Sequence, residues 1–173
     1  MTNETLKLME SRRSFRSYND REVPEEALDA VLRAGTYAAS GGGRQAAQIV
    51  AVRDKAVRET LRRLNAAVMG SDTDPYYGAP VIVLVLADST SNTPVEDGSL
   101  VIGNMMLAAH SIGLASVWVH REKEIFEGAE GKELLKKWGL SEKLMGVGSI
   151  ALGYTDEPLP EAAPRKDGYI LKV

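Results

Sequence analysis

DGSLVIGNMMLAAHSIGLASVWVH occupies residues 97–120. Its first part, 97–114, is apolar almost all round a helical wheel, and Asp97 is placed to cap it. A helix of that kind is buried on every side. The following LASVWVH, 114–120, reads as a strand. A chain of 173 residues has little mass with which to cover such a helix alone. A partner subunit is therefore the expected source of the remaining cover.

Upstream, PVIVLVLAD at 80–88 is apolar on both faces and is expected centrally in a covered sheet. QIVAVRD at 48–54 and LMGVGSIALGY at 144–154 read as two more strands. TNETLKLM reads as a short helix capped by Thr2 or Asn3. VPEEALDAVLRAGTYAA reads as a second helix. Pro24 suits its first position, Glu25 and Glu26 suit its positive end, and Ala27, Leu28, Val31 and Leu32 form its apolar face. KAVRETLRRLNAAVMG is a third, with Val57, Leu61, Leu64 and Val68 on one stripe and Arg58, Arg62 and Arg63 on the other face. MGSDTDPYYGAP is a loop and GKELLKKWG a short surface helix. Helices and strands mix without strict alternation, so the fold class is α+β in two or three layers. The tail, EPLPEAAPRKDGYILKV, is proline-rich but ends on Tyr169, Ile170 and Leu171. A free tail has no use for that triplet, so it is expected to dock.

Composition removes several chemistries. There is no cysteine, which excludes disulfides, thiol nucleophiles and cysteine-held clusters. His110 and His120 are too far apart for a helical metal pair, and no metal site is expected. The first residues lack an apolar run of signal-peptide type, and VIVLVLA, 81–87, is far too short to span a bilayer. The chain reads as cytoplasmic, with no membrane partner. A net charge of −3 argues against a nucleic-acid partner while permitting a local anion site.

Three stretches could carry chemistry. RRSFRSY, 12–18, gathers Arg12, Arg13 and Arg16 around Ser14. Guanidinium forks bind phosphate through paired hydrogen bonds, so the cluster reads as a phosphate clamp or, equally, as a solvated basic loop. SGGGRQAAQIV, 40–50, brings small residues together for close backbone approach to a ligand, but it has neither Walker nor dinucleotide spacing. A flexible connection is its other reading. Arg165 and Lys166 form a second basic pair, or a solubilising charge. His120 ends a strand, where a site often lies, whereas His110 reads as a core or interface residue. Trp118 could stack on a ring or fill the core. No nucleophile–base set is present, so hard chemistry would belong to a cofactor.

In this order, the segments resemble the nitroreductase family. RRSFRSY matches the family's R-R-S-x-R-x-[FY] opening throughout. ASGGGRQAA follows the family's P-S-x-x-N-x-Q-P-W loop at Ser40 and Gln45, with Gly43 in place of asparagine and Ala46–Ala47 in place of proline and aromatic. DGSLVIGNMMLAAHSIGLASVW keeps nearly all of the family's D-x-[GS] run, from Asp97 through Asn104 and Gly113 to Trp118. LGY at 152–154 and the basic pair Arg165–Lys166 complete the series. The chain looks like a short, compact branch of that family.

The resemblance implies an α+β nitroreductase-like fold, a central mainly antiparallel sheet flanked by helices, in an intertwined homodimer. Residues 1–173 would form one domain, with 155–173 packing on the partner subunit. FMN would lie at the interface. Arg12, Arg13, Ser14 and Arg16 would hold its phosphate and ribityl chain, with Arg165 and Lys166 returning to the phosphate. Ser40, Gly41, Gly43 and Gln45 would approach from the partner. Trp118, Val119, His120 and Arg121 would run along the ring, and Asn65 would meet its pyrimidine edge. Flavin N5 would carry hydride from NADH or NADPH to a nitroaromatic, quinone or similar small acceptor by a ping-pong route, with no catalytic side chain and His120 near the substrate. Tyr76 and Tyr77 would line the pocket or simply pack the loop. The alternatives are a flavin-binding or redox-sensing dimer without fast turnover, dehalogenation or flavin cleavage on the same fold, and a domain with no cofactor.

Overall fold

A computed structural model describes residues 1–173. All four expected strands form: β1 (Ala47–Val52), β2 (Val81–Asp88), β3 (Ala115–Val119) and β4 (Leu144–Gly153). They make one antiparallel sheet in the order β1-β2-β4-β3. The uniformly apolar β2 takes an interior place, and residues 81–87 are at most 1 % exposed. Its two apolar faces require helices on both sides, and the molecule supplies them.

On one face lie α2 (Glu25–Thr36) and α4 (Pro94–Ser111). Leu28, Val31, Ile102 and Met105 pack there against Val83, Val85, Ile150 and Leu152. On the other lie α3 (Lys55–Met69), α5 (Glu122–Glu127) and α6 (Ala129–Lys137). Leu61, Ile125, Phe126 and Leu135 pack there against Ile82, Leu84, Leu86 and Ala151. The short α1 (Glu4–Ser11), capped by the Asn3 side chain, buries none of its residues. Beyond Gly153 the chain forms no further helix or strand, and residues 157–173 are exposed. Arg165 and Lys166 contact only the tail: Arg165 donates to the Ala163 carbonyl, and Lys166 lies over the Tyr169 ring.

Several details differ from expectation. α4 begins three residues before Asp97, with Thr93 at its N-cap and Pro94 in the first turn. Asp97 is thus inside the helix rather than capping it. Pro24 is itself the N-cap of α2, not its first helical residue. Val68 is exposed, and the buried stripe of α3 runs through Leu61, Asn65 and Ala66. The six-residue α5 was not expected. Nor is α4 buried all round within one chain: Val95 is 49 % and Leu100 50 % exposed.

β4 carries an irregularity that shapes the site. Val85 pairs with Gly148 and Leu86 with Gly146, so Val147 is an extra residue, a β-bulge. The flanking glycines make room for other elements. A Cβ on Gly148 would lie 2.7 Å from the Trp118 ring, and one on Gly146 would lie 2.2 Å from the Glu122 backbone.

Candidate functional site

The arginine loop follows α1 and is pinned at three points. The Phe15 side chain is buried, and its N–H donates to the Ser116 carbonyl on the edge strand β3. Tyr18 OH donates to the Ala151 carbonyl on β4 at 2.8 Å. Ser11 Oγ lies 2.9 Å from His110 Nε2 near the end of α4. Between these anchors Arg12, Arg13 and Ser14 are half-buried, and Arg16 is exposed.

None of these arginines forms an ion pair, although Arg53, Arg62 and Arg63 each reach a glutamate. Arg13 donates only to the carbonyls of Glu10 and Arg12. Arg12 Nη1 and Arg13 Nε are buried without any hydrogen-bond partner. Burial and the neighbouring Arg13 push the Arg12 guanidinium below its ordinary value. Burial, then the charges of Arg12 and Arg13, push His110 down as well. This is concentrated, uncompensated positive charge with free donors, and an anion with several acceptor oxygens would complete it.

Next along the β3 edge come Trp118, Val119, His120 and Arg121. Alternation places successive side chains on opposite faces. Trp118 packs on the α4 side, while Val119 is buried on the opposite side and can offer only backbone to a ligand. His120 is exposed. Arg121 turns the chain out of the strand with φ +86, a conformation rare for a residue with a side chain.

Asn65, expected at the ring's pyrimidine edge, makes its contacts inside the protein. It is fully buried, and both ends of its amide are engaged: Nδ2 donates to the His120 carbonyl at 2.8 Å, and Oδ1 accepts from Arg121 Nε at 2.7 Å. Its neighbours Tyr76, Glu122 and Ser149 are buried too, and sequence reading missed the latter two. Tyr76 packs the loop before β2, whereas Tyr77 is partly exposed. Burial pushes the Glu122 carboxyl up to about 7, against the opposing pull of the Ser149 hydroxyl.

The small-residue loop lies elsewhere. Gly41–Gly43 form a single 3-10 turn after Ser40. The Asp97 carboxylate accepts from Gly41 N–H at 2.9 Å and from Thr93 Oγ1 at 3.1 Å. Ser40 Oγ accepts from Gln45 N–H at 3.1 Å, so the two family-matching residues brace each other. Gly43 has φ +67 and open space around it. Asp97 and His110 mark the two loops' places on α4. Thirteen residues of helix separate them by about 20 Å. Within one chain the structure therefore joins the arginine loop to the β3 end and leaves the Ser40 loop apart.

Comparison with known proteins bears on this arrangement. The nitroreductase family model matches residues 9–73 and 69–154. A protein of Archaeoglobus fulgidus named as an NADH dehydrogenase/NAD(P)H nitroreductase is 31 % identical over 157 residues, 87 % of this chain and 85 % of that one. A crystal structure of a nitroreductase with bound FMN from Bacteroides fragilis has a TM-score of 0.90 at 32 % identity, covering 99 % of this chain and all of that one. One from Desulfitobacterium hafniense, also with bound FMN, has a TM-score of 0.87 at 27 % identity, over 99 % and 100 % of the two chains.

Proposed function

The chain belongs to the nitroreductase family, and from that membership and the site's geometry we propose that it is an FMN-dependent NAD(P)H oxidoreductase acting on a small acceptor such as a nitroaromatic or quinone. The observation that carries this reading is the pair of buried, partnerless donor atoms on Arg12 and Arg13. A flavin phosphate, with close to two negative charges, supplies the acceptors they lack. Bound FMN would supply two-electron exchange between a reduced nicotinamide and the acceptor.

The chain's own residues would bind, orient and shield. Arg12, Arg13, Ser14 and Arg16 hold the phosphate end. The segment from Trp118 to Arg121, next to that loop on β3, would line the ring, and the exposed His120 would lie near the acceptor. Asn65 acts by holding this segment rather than by touching the ring. Ser40, Gly41, Gly43 and Gln45 lie about 20 Å away along α4, so they serve the flavin of a second copy in a homodimer. The tail, 155–173, crosses to the partner and brings Arg165 and Lys166 to a phosphate. We place the enzyme in the cytoplasm, where a reduced nicotinamide is at hand; no helix is long and apolar enough to cross a membrane.

The test is a visible spectrum of the purified protein, identification of what denaturation releases, and NAD(P)H oxidation with a nitroaromatic or quinone. Released FMN and steady turnover are expected. A protein that takes up no added FMN would overturn the cofactor. FMN without turnover would leave a flavin-binding dimer.

A further inference from the structure

A buried polar cluster lies behind the end of β3. Glu122 is 0 % exposed, on the sheet face where Leu61, Ile125, Phe126 and Leu135 pack. Its Oε1 accepts from Ser149 Oγ at 2.5 Å, Tyr76 OH at 3.0 Å and Asn65 Nδ2 at 3.4 Å, while Oε2 has no partner. A carboxyl buried this way is costly, and an apolar side chain of similar size would fill the space at lower cost. Four elements nevertheless send a polar group here: α3, the loop before β2, α5 and β4.

What the cluster achieves is the orientation of one amide. Glu122 Oε1 and Tyr76 OH draw Asn65 Nδ2 inward, where it also reaches the His120 carbonyl. That leaves Asn65 Oδ1 facing Arg121 Nε. Both residues of the turn are thereby gripped, one by backbone and one by side chain. Arg121 sits at a strained φ of +86, a conformation that persists only where its surroundings enforce it. Directly beneath, Gly146 has no room for a Cβ against the Glu122 backbone.

We propose that Asn65 and Glu122 are positioning residues: they lock the His120–Arg121 turn and so fix the protein edge that the flavin ring meets. This rests on the FMN reading given above. Neither side chain touches the ring. Their effect is on where the ring sits and on what lies against it.

The test compares Asn65→Ala, Glu122→Ala and Glu122→Gln with the wild type, FMN being kept saturating. The readouts are visible circular dichroism and midpoint potential of the bound flavin, with kcat and KM beside them. Asn65→Ala and Glu122→Ala should still bind FMN, because the arginine loop is untouched. Their flavin dichroism and potential should change, and kcat should fall by about ten- to a hundredfold with KM moving much less. Glu122→Gln keeps the size and the acceptor oxygen and should restore wild-type readings. Unaltered dichroism and potential in Asn65→Ala would overturn the proposal, as would Glu122→Gln behaving like Glu122→Ala. Should the alanine variants not fold, Tyr76→Phe, which withdraws one hydroxyl, should show the same change in smaller degree; wild-type readings there would equally overturn it. A wild-type protein that binds no FMN would defeat the cofactor reading itself, and this proposal with it.

Discussion

Arg12 and Arg13 differ from the chain's other arginines in what surrounds them, not in what they are. Arg62 and Arg63 lie on an exposed helix face beside Glu59 and Glu130, where ion pairs contribute only ~0–1 kcal/mol. Arg12 and Arg13 have no carboxylate and hold buried donors without partners. Hydrogen bonds between charged groups are worth roughly 1.5–3 kcal/mol each. Replacing both arginines by alanine should therefore weaken FMN binding on the order of a hundredfold or more, while Arg62→Ala should leave it unchanged. Equal affinity for all three proteins in a fluorescence titration would remove the phosphate role. Glu122 gives a second prediction at this scale. Its carboxyl is raised to about 7, so the folded state holds a proton that the unfolded chain releases near pH 4.5. The native form binds more protons between those values, and stability should fall as pH rises from about 4.5 to 7. The full cost, roughly 3 kcal/mol, is reached above pH 7. Glu122→Gln should flatten that slope in urea melts taken from pH 5 to 8; the same slope in both proteins would assign it to other groups.

At the scale of elements, the bulge in β4 ties three parts of the molecule together. Gly148 accepts the Trp118 ring, Gly146 the backbone at Glu122, and Val147 occupies the space above Gly98 of α4. The atoms facing Gly146 are backbone and cannot rotate away. Gly146→Ala should thus cost about 1–3 kcal/mol or more, read from chemical denaturation. Gly43→Asn is the contrasting case: asparagine tolerates positive φ and meets open space there. A stability loss at Gly43 as large as at Gly146 would show that the packing around β4 is not what separates them. Legibility in the sequence follows the same division. β2 and the helices with strong apolar stripes could be read because burial imposes a period on adjacent residues. The start of α4 is not legible because Asp97 resembles a cap, while its carboxylate accepts from Thr93 one turn earlier and from Gly41, 56 residues away. α5 is too short to show a period. Asn65, Tyr76, Glu122 and Ser149 come from four separate stretches, and no local pattern connects them. By charge alone RRSFRSY reads as an anion clamp or, equally, as a basic surface loop, because its freedom from ion pairs depends on which carboxylates the fold brings near.

For the whole molecule, the two loops and the outer face of α4 lead to one expectation. The arginine loop and the Ser40 loop are anchored toward opposite ends of α4, with anchor points about 20 Å apart along the helix, so a second copy is the expected source of the Ser40 loop at each flavin. The face of α4 between them exposes Leu100, and Leu6 and Met9 of α1 are exposed too. Unpartnered apolar surface on two elements that touch each other is typical of a subunit interface. A twofold contact there would bring one copy's Ser40 loop toward the other's arginine loop and give two equivalent sites. Leu100→Glu tests this, since Leu100 is half-exposed in a single chain and the change costs an isolated protomer little. Sedimentation velocity should show the wild type as a dimer and Leu100→Glu as a folded monomer. FMN affinity should fall along with the dimer, because each flavin loses the loop supplied by the other chain. A Leu100→Glu monomer that binds FMN as tightly as the wild type would confine the whole site to one chain. A wild type that sediments as a monomer at assay concentration would remove the partner altogether, and with it the role of Ser40, Gly41, Gly43 and Gln45.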